Sequence, residues 1–339
     1  MTRATQSTQL QIEYLQGIHV VDSVLWLDAP RPADLCFVSH AHLDRGVAHR
    51  KILATRATAA LLGRRRRKAA SLLCPFGRRF ALGDLDIVLH PAGHLPGSAQ
   101  ILVRRDRDRL AYTGDFSLDR SRTAEPATIL EADTLVLECH YGLPHQVFPP
   151  RPEVEAALLA WVGQMLQSGR TPVLFASILG KAQELARLLG DAGHRIQVHR
   201  SIHDICRAYD AIGVKIPGIR RFNGRAETDA VVLLPPGLRG SATIPRLRDP
   251  ATAMATGAAV EPDAPLRLGV ETVFPLSGHA DHAGLRRYVK DSGADRIFLV
   301  GRSAAAFAAQ LRDLGMDAWP LQPAQQLDLF HPGRLGAAS

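Results

Sequence analysis

A larger α/β domain carrying a second α/β domain inserted late in the chain is the architecture this sequence predicts, and three features predict it. Residues 17–140 hold short apolar runs punctuated by Gly and Asp, the pattern of strands and turns. Pro149-Pro150-Arg151-Pro152 then breaks the chain and suits a linker. Beyond it helical and strand periods alternate, which argues for a parallel sheet covered by helices. A third stretch, from Leu266 on, returns to strand, histidine-rich turn, helix, strand and helix.

Taken in order, strands are expected at 20–27, 35–38, 52–54, 87–89, 100–104, 109–112 and 134–138, with a helix over 57–73 between the third and the fourth. After the prolines come a helix at 153–168, a buried strand at 172–176, a helix at 181–192, a strand at 195–199, a helix at 202–212 and a strand at 231–234 that stops at Pro235-Pro236. The last segment adds a strand at 297–300 and a helix at 304–314. The division that follows is 1–148 for the first part of the large domain, 149–265 for the insert, 266–320 for the return, and 321–339 for a tail.

The 339 residues, 46% hydrophobic and 22% charged, are enough for two real cores and fall outside the disordered class. The start, Met1-Thr2-Arg3-Ala4-Thr5-Gln6, lacks an apolar signal-type core, and no apolar run approaches membrane-spanning length, so a cytoplasmic protein is expected. Cys36, Cys74, Cys139 and Cys206 are scattered without C-x-x-C pairs, which indicates neither a disulfide framework nor a cysteine zinc site. A net charge of +8 favours a polyanionic partner, though charge speaks to association and not to fold.

Four histidine and aspartate clusters stand at the ends of expected strands. Ser39-His40-Ala41-His42-Leu43-Asp44-Arg45 follows the run 35–38; in an extended segment residues i and i+2 share a face, so His40 and His42 can reach one metal ion. His90-Pro91-Ala92-Gly93-His94 has glycine to bend the backbone around whatever His94 faces. Tyr112-Thr113-Gly114-Asp115 ends an apolar strand in a carboxylate, and Ser277-Gly278-His279-Ala280-Asp281-His282 opens a helix. Three imidazoles and one carboxylate make a zinc set with a position left for water. Taken singly, His94 or His90 is as readily a loop histidine, and Asp115 a turn former.

On these residues the chain resembles the metallo-β-lactamase fold, an αββα sandwich, and specifically its β-CASP branch of nucleic-acid-processing nucleases, with the β-CASP domain as the insert. Within that branch it is similar to the bacterial ligase-associated DNA exonucleases, from about Asp28 to Ala318. Further markers are Gly97-Ser98-Ala99-Gln100, Leu137-Glu138 with Tyr141-Gly142-Leu143-Pro144, and Leu179-Gly180-Lys181-Ala182-Gln183. The resemblance implies His40, His42 and His94 as ligands of one zinc, with Asp115 bridging to a second metal. It implies Asp44 as a second-site ligand and proton acceptor. Glu138 and His279 would stand beside the metals as catalytic groups, His279 at the scissile phosphate or leaving oxygen. Ser177 and Lys181, at a helix N-terminus of the insert, would face phosphate.

Two departures bear on the second metal. Arg45 stands where the family has a histidine, and Gly301-Arg302 follows the strand 297–300 where the family has another. Asp44 and Asp115 remain, a pair better suited to weakly held Mg2+ or Mn2+ than to zinc. Three outcomes are open: a one-zinc hydrolase with Arg45 clamping phosphate, replacement of the missing imidazoles by His49 and His282, or a catalytically silent paralogue that still binds nucleic acid.

Arg64-Arg65-Arg66-Arg67-Lys68 is either a solvated face or a phosphate contact. In the tail, Gln326-Leu327-Asp328-Leu329-Phe330 resembles the peptide by which bacterial repair proteins dock on the DNA sliding clamp; Leu329 and Phe330 would fill an apolar pocket, Gln326 would bond at its rim, and Leu327 lies between. A packed terminal strand is the alternative. The resemblance implies metal-dependent DNA exonuclease cleavage in repair, beside an ATP-dependent DNA ligase and a helicase; an RNA 3′-end processing nuclease is the alternative among enzymes.

Overall fold

The computed structural model describes residues 10–15, 17–42, 47–63 and 69–321. Strands β1 (Ile12–Tyr14), β2 (Ile18–Val20), β3 (Leu25–Leu27), β4 (Leu35–Phe37) and β5 (Lys51–Ala54) lead to helix α1 (Arg56–Leu62) and strand β6 (Ala70–Leu73). These six strands form one sheet in sequence order, antiparallel from β1 to β3 and parallel from β3 to β6. Two expectations change here. The strand expected at 20–27 is two strands joined by a turn at Asp22, whose φ of 57° is left-handed. The helix expected over 57–73 ends at Leu62, where Gly63 takes a positive φ and caps it, and 70–73 instead pairs with β5.

Strands β7 (Arg79–Leu82), β8 (Leu85–Pro91), β9 (Ala99–Arg105), β10 (Asp108–Tyr112) and β11 (Thr134–Glu138) begin a second sheet. Helix α2 (Arg151–Gln167) then opens the insert. It continues through β12 (Thr171–Phe175), α3 (Lys181–Asp191), β13 (Arg195–Val198), α4 (Arg200–Ala211), β14 (Ile219–Arg221), β15 (Ala230–Leu234), β16 (Pro250–Ala255), α5 (Ala264–Leu268) and β17 (Thr272–Phe274). All six of its strands pair in parallel, in the order β14-β13-β15-β12-β16-β17. Strand β17, past residue 266, thus still belongs to the insert's sheet. Helix α6 (His282–Ser292), β18 (Arg296–Val300), α7 (Ala304–Asp313) and β19 (Asp317–Pro320) return to the second sheet, ordered β19-β18-β11-β10-β9-β8-β7.

The apolar faces explain the layers. Leu27, Phe37, Leu53, Ile87, Ile101 and Val136 are buried between the first two sheets. Leu285, Tyr288, Phe307 and Leu311, from α6 and α7, cover the other face of the second sheet. Leu61 and Leu62 of α1 cover the first sheet and meet Leu179 and Tyr209 of the insert. An αββα sandwich with an inserted parallel α/β domain results. Burial of such faces, at about 25 cal/mol per Å2, drives the assembly. No helix among the described residues is long and apolar enough to cross a membrane.

Candidate metal centre

The candidate site forms at strand ends, where the ladder stops and side chains are released into the junction with the insert. His40 and His42 follow β4, His94 the β8–β9 turn, Asp115 the end of β10, Glu138 the end of β11, and His279 the turn after β17. Ligand atoms of His40, His42, His94 and Asp115 lie within 4.8 Å of one another, as do those of Glu138, His140 and His279. Both clusters can hold a metal ion.

In the first cluster every imidazole is held from behind. Ser39 Oγ donates to Asp28 Oδ2 at 2.5 Å and therefore accepts from His40 Nδ1 at 2.8 Å. His94 Nδ1 donates to the Gly278 carbonyl at 2.7 Å, and His42 Nε2 to the Leu179 carbonyl at 3.0 Å. These bonds fix the tautomers and leave His40 Nε2, His42 Nδ1 and His94 Nε2 as lone pairs facing inward. His94 Nε2 and His42 Nδ1 are 3.2 Å apart, and Asp115 Oδ2 lies 3.2 Å from His40 Nε2 and 3.9 Å from His94 Nε2. Ligands around a tetrahedral zinc stand about 3.3 Å apart. Lone pairs this close repel unless a cation lies between them, so the donor set fits a divalent metal.

The electrostatics favour the neutral form at two of the three imidazoles. Burial, then the neighbouring His40, pushes His42 down to about 4; burial, then His279, holds His94 well below its usual value. Both are neutral, as ligands must be. Burial opposes ionisation of Asp115, but His40 and His279 outweigh it and hold the carboxyl well below its usual value. For His40 and His279 burial works against the charged form, yet Asp115 and its fellow carboxylates raise both.

Backbone geometry makes this convergence possible. Gly93 has φ 76°, and a Cβ there would lie 2.2 Å from the Ser117 carbonyl oxygen. Gly114, at φ 53°, brings Asp115 past Ser39 so closely that a Cβ would fall 2.6 Å from Ser39 Oγ. The His279 turn is tied to the loop after Asp115 by the Ala280 N–H, which donates to Phe116 O at 2.7 Å.

A cavity of about 260 Å3 opens beside the metal centre, lined from one side by His42, His94 and His279 and from the other by Ser177, Gly180 and Lys181. Lys181 is the first residue of α3, and burial pushes its ammonium down to about 8. The insert therefore supplies one wall and, through Leu179, also orients a metal-facing histidine. Glu184, one turn further along α3, accepts from Ser121 Oγ, Arg122 N (3.1 Å), Thr123 N (2.9 Å), Thr123 Oγ1 and Arg151, joining the domains behind the cavity.

Of the residues expected here, His40, His42, His94 and Asp115 come together, Glu138 and His279 stand beside them, and Ser177 and Lys181 line the cavity. Asp44, Arg45, Arg64 to Lys68, Gln326, Leu327, Leu329 and Phe330 lie outside the described residues. The proposed substitutes His49 and His282 join neither cluster. His49 Nδ1 accepts from Ala33 N–H at 3.2 Å, and His282 Nε2 bonds Gln310 Oε1 at 2.9 Å under Phe307. His90 stays in the β8–β9 ladder opposite Gln100. Sequence reasoning passed over His140. The signal was present: it follows Glu138 by two residues at a strand end, the spacing that singled out His40 and His42.

No family model matches the chain. A protein named probable DNA ligase from Opitutus terrae is 37% identical over 321 residues, 94% of this chain and 32% of that protein. An RNase J-like protein from Methanocaldococcus jannaschii is 28% identical over 186 residues, 48% of this chain and 44% of the relative. Endoribonuclease ysh1 of Emericella nidulans is 32% identical over 117 residues, 34% of this chain and 13% of its own length. The chain thus spans less than half the length of each. Among solved structures, a protein of unknown function from Enterococcus faecalis V583 shares the fold, with a TM-score of 0.54, 13% identity, and coverage of 79% of this chain and 74% of that one.

Proposed function

Because this chain belongs to the β-CASP branch of the metallo-β-lactamase-fold nucleases, we propose that it is a metal-dependent phosphodiesterase that degrades DNA from an end during repair, in company with a DNA ligase. The observation that carries the reading is the inward-facing set His40 Nε2, His42 Nδ1, His94 Nε2 and Asp115 Oδ2, each imidazole locked from behind, opening on a cavity with a lysine opposite.

A divalent cation, when bound there, supplies Lewis-acid polarisation and water made acidic near neutrality. The residues do the rest. Lys181, with the positive end of the α3 dipole beneath it, draws a phosphodiester into the cavity. Asp115, held ionised, and Glu138 orient water for attack on phosphorus. As the P–O bond to the leaving oxygen breaks, His279, whose Nε2 lies 4.0 Å from Asp115 Oδ2 and faces the cavity, hydrogen-bonds that oxygen, and water supplies its proton. Asp44 and Arg45 are proposed to act nearby, as second-metal ligand and phosphate clamp, and Ser177 to hydrogen-bond a non-bridging oxygen.

The similarity to a protein named DNA ligase across 94% of the chain supports DNA and a ligase partner. The tail Gln326 to Phe330 supports, by its sequence, tethering to the sliding clamp. A second reading, an RNA-processing nuclease, draws on the names of the archaeal and fungal relatives. Incubating the purified protein with end-labelled single-stranded DNA and RNA, with Zn2+ or Mn2+, separates these. Progressive, metal-dependent loss of DNA that is absent in His40→Ala and Asp115→Ala is expected. Cleavage of RNA alone would establish the second reading, and binding without cleavage of either polymer would establish a silent DNA-binding factor.

A further inference from the structure

We infer that Glu138, His140 and His279 form a second cation site of this chain, displaced from the position where the family resemblance would build one from residues 45 and 301. The inference rests on the metal-dependent reading above only in expecting a second ion. Three observations carry it.

The first is geometry. Glu138 closes β11, and the extended path continues one residue further, because Cys139 N–H donates to Val300 O at 2.7 Å. Residues 138 and 140 therefore share a side. His140 Nδ1 stands 3.3 Å from Glu138 Oε1, and His279 Nδ1 stands 3.5 Å from Glu138 Oε2. These separations match ligand-to-ligand spacings of about 3.3 Å around a zinc-sized ion. The two imidazoles stack, with centroids 4.7 Å apart and planes 22° apart, presenting one nitrogen edge each to the carboxylate.

The second is an orphan. His279 Nδ1 is buried and has no hydrogen-bond partner among the described residues, although its other nitrogen faces Asp115. Buried polar atoms are almost always satisfied, and a bound cation would satisfy this one.

The third is closure of the alternative position. Gly301 has φ 107°, and a Cβ on it would lie 2.9 Å from the Cys139 carbonyl oxygen and 3.0 Å from Glu138 Oε1. A histidine cannot occupy 301 without displacing Glu138. The imidazole is instead supplied by the neighbouring strand, at 140. Two imidazoles and one carboxylate with open positions suit Zn2+ or Mn2+.

Metal counting tests this without reference to activity. Chelator-stripped protein is titrated with Zn2+ and with Mn2+ by calorimetry, and bound metal is measured by mass spectrometry after gel filtration. Wild type is expected to bind two ions, and His140→Ala and His140→Gln one. His42→Ala should lose the other ion, and circular dichroism reports whether each variant is folded. One ion in wild type overturns the inference. So do two ions in the folded His140 variants. Two ions in wild type, one of them lost in the His140 variants, in a protein that cleaves neither DNA nor RNA, would leave this site standing and remove the nuclease reading.

Discussion

The carboxylate of Asp28 lies two hydrogen bonds behind His40, through Ser39, receiving the Ser39 hydroxyl at 2.5 Å, the Ser39 N–H at 2.8 Å and the Tyr112 hydroxyl at 2.8 Å. It touches no metal-facing atom, yet it sets the direction of the Ser39 hydroxyl and so the tautomer of His40. Its φ of 43° is left-handed, a conformation that Asn also tolerates, so Asp28→Asn tests the charge with little change in backbone. Metal affinity at the first site is expected to fall about 10- to 100-fold, as for other groups that orient metal-bound histidines. Competition against a chromophoric chelator measures it; unchanged affinity would mean that Ser39 orients His40 unaided. Nothing in the sequence marks Asp28, because its partners are 11 and 84 residues away. His140 is the opposite case. It was legible by spacing, but beside Glu138 in a run otherwise read as family marker its separate chemistry went unnoticed.

Among the elements, α3 does most to place the site. Gly180, at φ 90°, starts it against Leu95, and Gln183 returns its side-chain oxygen to the Gly180 N–H at 2.7 Å, which fixes the first turn. That turn carries Lys181 into the cavity and leaves Leu179 O over His42. Glu184 anchors the same helix with five donors from Ser121, Arg122, Thr123 and Arg151. Glu184→Ala would leave Arg151 with Glu155 alone and deprive the Ser121, Arg122 and Thr123 donors of a shared acceptor. A loss of about 1–3 kcal/mol in unfolding free energy is expected, along with weaker metal binding through the loosened Leu179–His42 bond. Urea unfolding and the chelator competition report the two effects, and a loss below about 1 kcal/mol would show the junction to be held elsewhere. The sequence placed α3 within a residue of its observed ends. It missed β16 because Pro250-Ala251-Thr252-Ala253-Met254-Ala255 lacks the β-branched run that marks a buried strand; parallel pairing with β12 and β17 made it one.

At the scale of the whole molecule, two domains meet across the cavity and the chain carries a net charge of +8. Nucleic acid seated there releases counterions, so affinity should fall steeply with salt. Binding of a non-cleavable single strand, followed by fluorescence anisotropy, is expected to weaken at least about 10-fold between 50 and 200 mM NaCl. A flat dependence would point to recognition by base contacts and not by phosphate.

Glu138 came from the family resemblance; the sequence by itself pointed to the layered α/β architecture, the late insert, and the strand-end residues His40, His42, His94, Asp115 and His279. Period and spacing along one chain suffice for these, since each reports on its own neighbours. Tertiary structure decided which lone pairs face inward, because Asp28, Leu179 and Gly278 come from distant segments to hold the outer nitrogens. It also decided that position 301 is closed and that His140 stands against His279. Those facts depend on how β11 and β18 pair and where the turn after β17 lands, and no local pattern encodes them.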